Sequence, residues 1–328
     1  MKKNLAATAL SVFFSCVMIT PISSAETAEE LYQKGVLYHE QWNDKALDYM
    51  EKSAQLGHTK AMCEWAEWQR PSIFMMSEES IKYYEKAKDA GDLCGYDGLM
   101  TSNDVDEEIR GKTPSKLTNE FISLAEKKAA AGDAEALISL AYFYDPRSEK
   151  GIEYLKKSAA LNNARAMRDI SNLIDSGHDG WYLIPGSRKR AVREWMEKSA
   201  EAGNPLAMVD LARMVYDEDK DKSEVWLKKA IDKGFLIAVD ELAIAYGQFY
   251  GNVKLKYGYK PKEAYSLFYS IQQVIGKDSL DRQNADRLIP KLEKKLTPAE
   301  IEEAKKESVE WLKTHQLRDY TIEFGGYL

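Results

Sequence analysis

An eighteen-residue pattern, clearest at residues 195–212 (WMEKSAEAGNPLAMVDLA), recurs along the chain and restricts its fold more than any other feature. Aligned on the residue at the centre of the pattern, the copies bring Gly57, Gly91, Gly132, Asn162, Gly203 and Gly234 into register, spaced 34, 41, 30, 41 and 31 residues apart. Eight residues before this position stand Tyr49, Tyr83, Leu124, Tyr154, Trp195 and Trp226. Four residues after it stand Ala61, Gly95, Ala136, Ala166, Ala207 and Ala238, and eight after it Trp65, Leu99, Leu140, Ile170, Leu211 and Leu242. Glycine and asparagine tolerate the left-handed backbone that ends a helix. Asp92, Asp133, Asn163 and Asn204 follow as N-caps. Pro205 suits a first helical turn, where its missing N–H costs nothing. Lys52, Lys128, Lys157, Lys198 and Lys229 precede the break, at the negative end of a helix dipole. Each unit therefore reads as helix, tight turn, helix. The aromatic of the first helix is expected to be a large anchor, and the small residues of the second let a neighbour approach. Neither helix buries its apolar face alone, so the units must stack.

The run aromatic-x-x-Lys-[Ser/Ala]-Ala-x-x-Gly-x-x-x-Ala-[Met/Leu]-x-x-[Leu/Ile]-[Ala/Ser], seen at residues 49–66, 154–171 and 195–212, resembles the Sel-one-like repeat family, a relative of the tetratricopeptide repeats. The second unit departs from it, with Gly95 for the alanine and Lys88 for the small residue before the break. The resemblance implies an all-α fold, a right-handed α/α superhelical solenoid of about six helix-turn-helix repeats closed by C-terminal capping helices. It also implies a protein that binds other proteins or assembles complexes. A cysteine-rich branch of the family carries a cysteine pair in each unit; this chain lacks that pattern, so the functions of that branch do not carry over.

Residues 1–25 read as a secretory signal, with Lys2 and Lys3, an apolar run from Leu5 to Ile19 and small residues before a cut after Ala25. Cys16 raises a lipoprotein alternative, but Phe13-Phe14-Ser15 matches that site poorly. The expected compartment is a bacterial periplasm. Residues 26–260 are assigned to the solenoid and 261–328 to a degenerate last repeat and capping helices. The net charge of −7 argues against nucleic acid and anionic membranes as partners. Residues 28–38 form an amphipathic helix, a half-unit opening the stack. Trp42, Trp68 and Phe74 lie at the edges of the ladder, where they either pack between units or mark a recognition surface. Cys63 and Cys94 fall in adjacent units, six and three residues past their breaks. A disulfide and two buried thiols are both open.

Two insertions read as loops. Residues 101–117 are polar and acidic without calcium-loop spacing. Residues 176–190 set Trp181 and Tyr182 beside Arg188, Lys189 and Arg190, with Arg193 following. An aromatic loop next to cations on a rigid scaffold is the candidate protein-binding site, unless Trp181 to Ile184 folds back on the stack. Residues 246–260 read as a third loop, and helices are expected at 262–274, 284–296 and 298–313, the last opened by Thr297, Pro298 and Glu300. The tail 320–328 either tucks into the concave surface or stays loose.

The four histidines form no close ligand pair, and no phosphate loop, nucleophile elbow or metal motif is present. The reading is an exported scaffold, not an enzyme, with no cofactor and no metal, binding another protein through its concave face and inserted loops. The alternatives are an immunity protein that neutralises a delivered toxin and, from another class, a cell-wall hydrolase.

Overall fold

The computed structural model describes residues 26–72, 75–101, 114–180, 182–249, 255, 257–320 and 322. The signal-like segment and Phe74 lie outside them. Within them are sixteen helices: α1 (Ala28–Glu40), α2 (Lys45–Gln55), α3 (Thr59–Trp68), α4 (Glu78–Asp89), α5 (Leu93–Thr101), α6 (Pro114–Ala130), α7 (Ala134–Phe143), α8 (Glu149–Ala160), α9 (Ala164–Asp175), α10 (Ser187–Glu201), α11 (Pro205–Val215), α12 (Lys220–Asp232), α13 (Leu236–Gly247), α14 (Pro261–Val274), α15 (Leu280–Glu293) and α16 (Pro298–Leu312). Successive helices pack on one another to form the expected all-α solenoid.

The breaks fold as their residues dictate. Gly57, Gly91, Gly132, Gly203 and Gly234 take φ between 77° and 100°, and Asn162 takes 64°. Asp133, Asn163 and Asn204 accept backbone N–H groups of the next helix through their side chains, each cap contributing about 1 kcal/mol. At the first break His58 does this work, its Nδ1 accepting from Ala61 N–H at 3.1 Å.

The anchor position differs from the expectation. The residues seven before the break, Met50, Tyr84, Ala125, Leu155, Met196 and Leu227, are all buried, whereas in the column eight before it Tyr83 and Trp226 are buried as expected but Tyr49, Leu124, Tyr154 and Trp195 are only half-buried. The aromatics lie one residue, or 100° of helix, off the core axis. There the ammonium three residues on covers the ring: Lys86 over Tyr83 at 4.8 Å, Lys157 over Tyr154 at 5.2 Å, Lys198 over Trp195 at 4.4 Å and Lys229 over Trp226 at 3.9 Å. The aromatic-x-x-Lys signature is thus a repeated cation–π pair on the first helix.

The serine beside it ties units together. Ser53, Ser158 and Ser199 donate Oγ–H to the carbonyls of Ala28, Ala134 and Ala164, each the first residue of the helix that follows the preceding break or, for Ala28, of α1. Their small size lets helices touch, and the buried hydroxyl finds an acceptor. Gly95 shows the same requirement pushed further. A Cβ there would lie 2.3 Å from Lys88 N and 2.6 Å from Tyr84 O, so α4 and α5 meet backbone to backbone. Gly95→Ala, although it restores the repeat consensus, should destabilise the protein by about 1–3 kcal/mol, read as a lower denaturation midpoint at unchanged slope.

Several boundaries differ from the sequence reading. The inserted loop is shorter at both ends, because α5 reaches Thr101 and α6 begins at Pro114, burying Leu117; residues 102–113 lie outside the described set. The third loop starts later, since α13 runs to Gly247 and buries Tyr246. α15 spans Leu280–Glu293 instead of 284–296, because Thr297 caps α16 and the chain needs residues 294–296 to turn. Trp68 stacks on His39 with rings 4.8 Å apart, whereas Trp42 is half exposed at φ 57°.

The stack also returns on itself. Gly276 N–H donates to Gln41 O at 2.7 Å, joining the α14–α15 turn to the α1–α2 turn. The stretch after α16 passes between the same α1–α2 turn and the break at Gly234, where Phe235 and Arg318 form a parallel bridge.

Candidate protein-binding surface

The inserted segment between α9 and α10 is anchored before it projects. His178 N–H closes the end of α9 on Leu173 O at 2.8 Å, and Asp179 pairs with Lys156 at 3.0 Å. Tyr182 packs half-buried against the core of α7 to α10, with the Arg188 guanidinium 5.7 Å from its ring centre. Ser187 donates through both N–H and Oγ–H to Ile184 O, at 3.0 and 2.7 Å, fixing the turn into α10. Between these anchors Leu183 and Ile184 stand in solvent, 88% and 68% exposed. Two exposed aliphatics at one tip are a large unburied apolar surface.

The cations divide into two groups. Arg188, Lys189 and Arg190 are exposed and, among the described residues, have no carboxylate partner. Arg193 is not part of that free surface: it reaches Glu218 at 2.5 Å and Glu197 at 3.5 Å, and the Glu218 bond holds its guanidinium pKa above the usual value. Trp181 lies outside the described residues. The structure therefore sets Arg188 against Tyr182, leaves Lys189 and Arg190 exposed in the same first turn of α10, and ties Arg193 to Glu218 and Glu197 instead. Leu183 and Ile184, part of the apolar-aromatic loop in the sequence, are the two of its large apolar side chains that stand most exposed among the described residues.

A second surface runs along α3, α5, α7, α9, α11 and α13, the helices that follow the breaks. Side chains link α7, α9, α11 and α13 in sequence. Tyr142 donates to Asp169 at 3.2 Å, Asn163 to Glu135 at 2.6 Å and Arg168 to Asp210 at 2.9 Å, and Arg213 pairs with Glu241. Tyr142 and Arg213 lie ten past their breaks and their partners seven past the next, so neighbouring helices are offset by one turn. The same offset brings Cys63, six past its break, against Cys94, three past the next. The two are joined in a disulfide with Cα atoms 6.1 Å apart. Partial burial raises the carboxyl pKa of Asp169. Asp240 is pushed up to about 7, by burial first and then by the nearby Asp281.

The histidines serve separate local tasks: His39 and His315 stack on Trp68 and Trp311, and His58 caps α3 and bonds Glu29. Among the described residues no group of three His, Cys, Asp or Glu side chains could hold a metal ion. No described helix is long and apolar enough to cross a membrane.

The Sel1 repeat model matches residues 24–58, 77–92, 134–163, 179–204 and 205–235. The chain is a Sel1-repeat protein. The family unit is phased one helix earlier than the break-centred unit: three of its matches start at or just before a helix that precedes a break-forming pair and end one residue past the next break. In that phase α1 and α2 are a complete Sel1 repeat, and α1 is no half-unit. Residues 93–133, which include the Gly132 break, are not matched, yet this break folds like the others. No curated protein matches the chain. Among solved structures, a protective antigen of uropathogenic Escherichia coli displaying an SLR fold is 17% identical, with a TM-score of 0.46 over 88% of this chain and 61% of that one. This chain thus spans less than two thirds of that protein's length. A Sel1 repeat protein from Oxalobacter formigenes is 20% identical, with a TM-score of 0.43 over 87% and 86%. An immunity protein from Pseudomonas aeruginosa is 15% identical, with a TM-score of 0.37 over 71% and 81%.

Proposed function

We propose that this Sel1-repeat chain is an exported, non-catalytic scaffold that binds a protein partner through the projection at residues 182–190. The observation that carries the reading is the pinned tip, where Leu183 and Ile184 are exposed beside three cations that have no carboxylate partner among the described residues. An apolar pair ringed by charge gives desolvation energy at its centre and orientation at its rim. The linked face along the second helices is a further surface for the partner. The Cys63–Cys94 bond is consistent with an oxidising compartment. With the signal-like first 25 residues it supports a periplasmic location and a mature chain starting near Glu26.

Leu183→Asp combined with Ile184→Asp should abolish capture of the partner from periplasmic extract, a loss of at least about a hundredfold in affinity. Arg188, Lys189 and Arg190 changed together to alanine should weaken it and reduce its salt dependence. Both variants should keep the parent's helical circular dichroism, since none of these side chains is buried. A partner held equally by both variants would move the site to the second-helix face. If the captured partner is a toxin, binding by the scaffold serves as neutralisation.

A further inference from the structure

The segment after α16 is bound by the rest of the protein as a peptide ligand would be. Arg318 N–H donates to Gly234 O and Leu236 N–H to Arg318 O, both at 2.9 Å, so the segment satisfies the start of α13, whose N-cap Phe235 has no capping side chain. Leu317 is fully buried in the largest apolar cluster. Tyr320 donates to Lys233 O at 2.5 Å and meets Phe235 edge-on at 6.1 Å.

Its other edge grips the opposite end of the chain. Gln41 Nε2–H donates to Leu317 O at 2.9 Å, Asp319 N–H to Glu40 O at 3.2 Å and Ile322 N–H to Glu40 Oε1 at 3.3 Å. Arg318 Nε lies 2.8 Å from Glu40 Oε2, and the Glu40 side chain is fully buried. A buried carboxylate needs a close counter-charge, so Glu40 depends on the segment staying in place. Gly276 adds a second contact between the same ends: a Cβ there would lie 1.8 Å from Trp42 O.

We propose that residues 317–320, with Ile322, are a strap that locks the first Sel1 repeat onto the C-terminal end of the stack, making the solenoid a closed body whose opening is controlled by this segment. In an open solenoid each repeat touches only its neighbours, and stability is a sum over adjacent interfaces. Here α1 and α13, far apart in the chain, share one set of bonds. Release of the strap frees the first repeat and exposes the α13 end of the second-helix face, while the central repeats keep every neighbour contact.

The test is hydrogen exchange on the full chain and on Arg318→Ala. The strap predicts that backbone amides of α1 and of residues 316–320 exchange at least about tenfold faster in the variant, the factor a single 1.4 kcal/mol contact carries. Amides of α8 to α11 should keep the parent rate. Scattering should show a larger radius of gyration. Should Arg318→Ala fail to accumulate folded, Tyr320→Phe, which removes the bond to Lys233 O, must give the same pattern at smaller size. Acceleration spread evenly over all repeats, or no acceleration at the two ends, would overturn the strap.

Discussion

Replacing Cys63 and Cys94 together by serine, or reducing the protein, should lower its stability by about 3–4 kcal/mol. The bond closes a loop of 31 residues, and the chain-entropy relation gives a figure of that order for such a loop. For a chain of this size the thermal midpoint should fall by roughly 5–10 °C. The loss should be concentrated in α3 to α5, because the bond fastens the second repeat, where Gly95 and Lys88 depart from the consensus and the Sel1 repeat match shrinks to residues 77–92. Differential scanning calorimetry with and without reductant measures it. An unchanged midpoint would mean that packing alone fixes these repeats.

The second large effect concerns Asp240, which is 6% exposed on α13 and accepts a bond from Asn284 at 3.3 Å. Its pKa, pushed up to about 7 by burial and by Asp281, means that the folded chain holds a proton that the unfolded chain releases near pH 4. Between about pH 4 and 7 the folded state therefore binds more protons than the unfolded state. Stability from this group is complete below the unfolded pKa and declines as pH rises through the folded one. Asp240→Asn keeps an acceptor for Asn284 and removes the titration. The variant should equal the parent near pH 4 and exceed it by about 2–4 kcal/mol at pH 8. Urea denaturation at the two pH values checks this, and a gain equal at both would contradict it.

What could be read from the sequence follows from what repeats. Each of the six breaks turns through a left-handed residue, so the five glycines and Asn162 mark them in the sequence. The caps at Asp133, Asn163 and Asn204 follow directly. The buried column seven before the break was hidden because its members, from Met50 to Ala125 to Tyr84, share apolarity but not type. The visible aromatic column beside it reflects pairing with lysine. The Cys63–Cys94 pair looked out of register because the one-turn offset between adjacent second helices is a property of packing, which no single repeat carries. Arg318 and Glu40 were illegible for a plainer reason: each occurs once, and they meet only because the stack returns on itself. Of the candidate site, the cations were recognisable as a cluster, but the capture of Arg193 by Glu218, from the α11–α12 turn, required the fold.

The tip at residues 183–184 is the proposed partner contact. The direct measurement is site-specific photocrosslinking in the native cell, with the photoreactive residue placed at Leu183, at Ile184 or, as a control, at Val309 on α16, itself 47% exposed. The account predicts one discrete adduct of the same partner from both loop positions and none from Val309. No adduct from the loop, or the same adducts from all three positions, would contradict it.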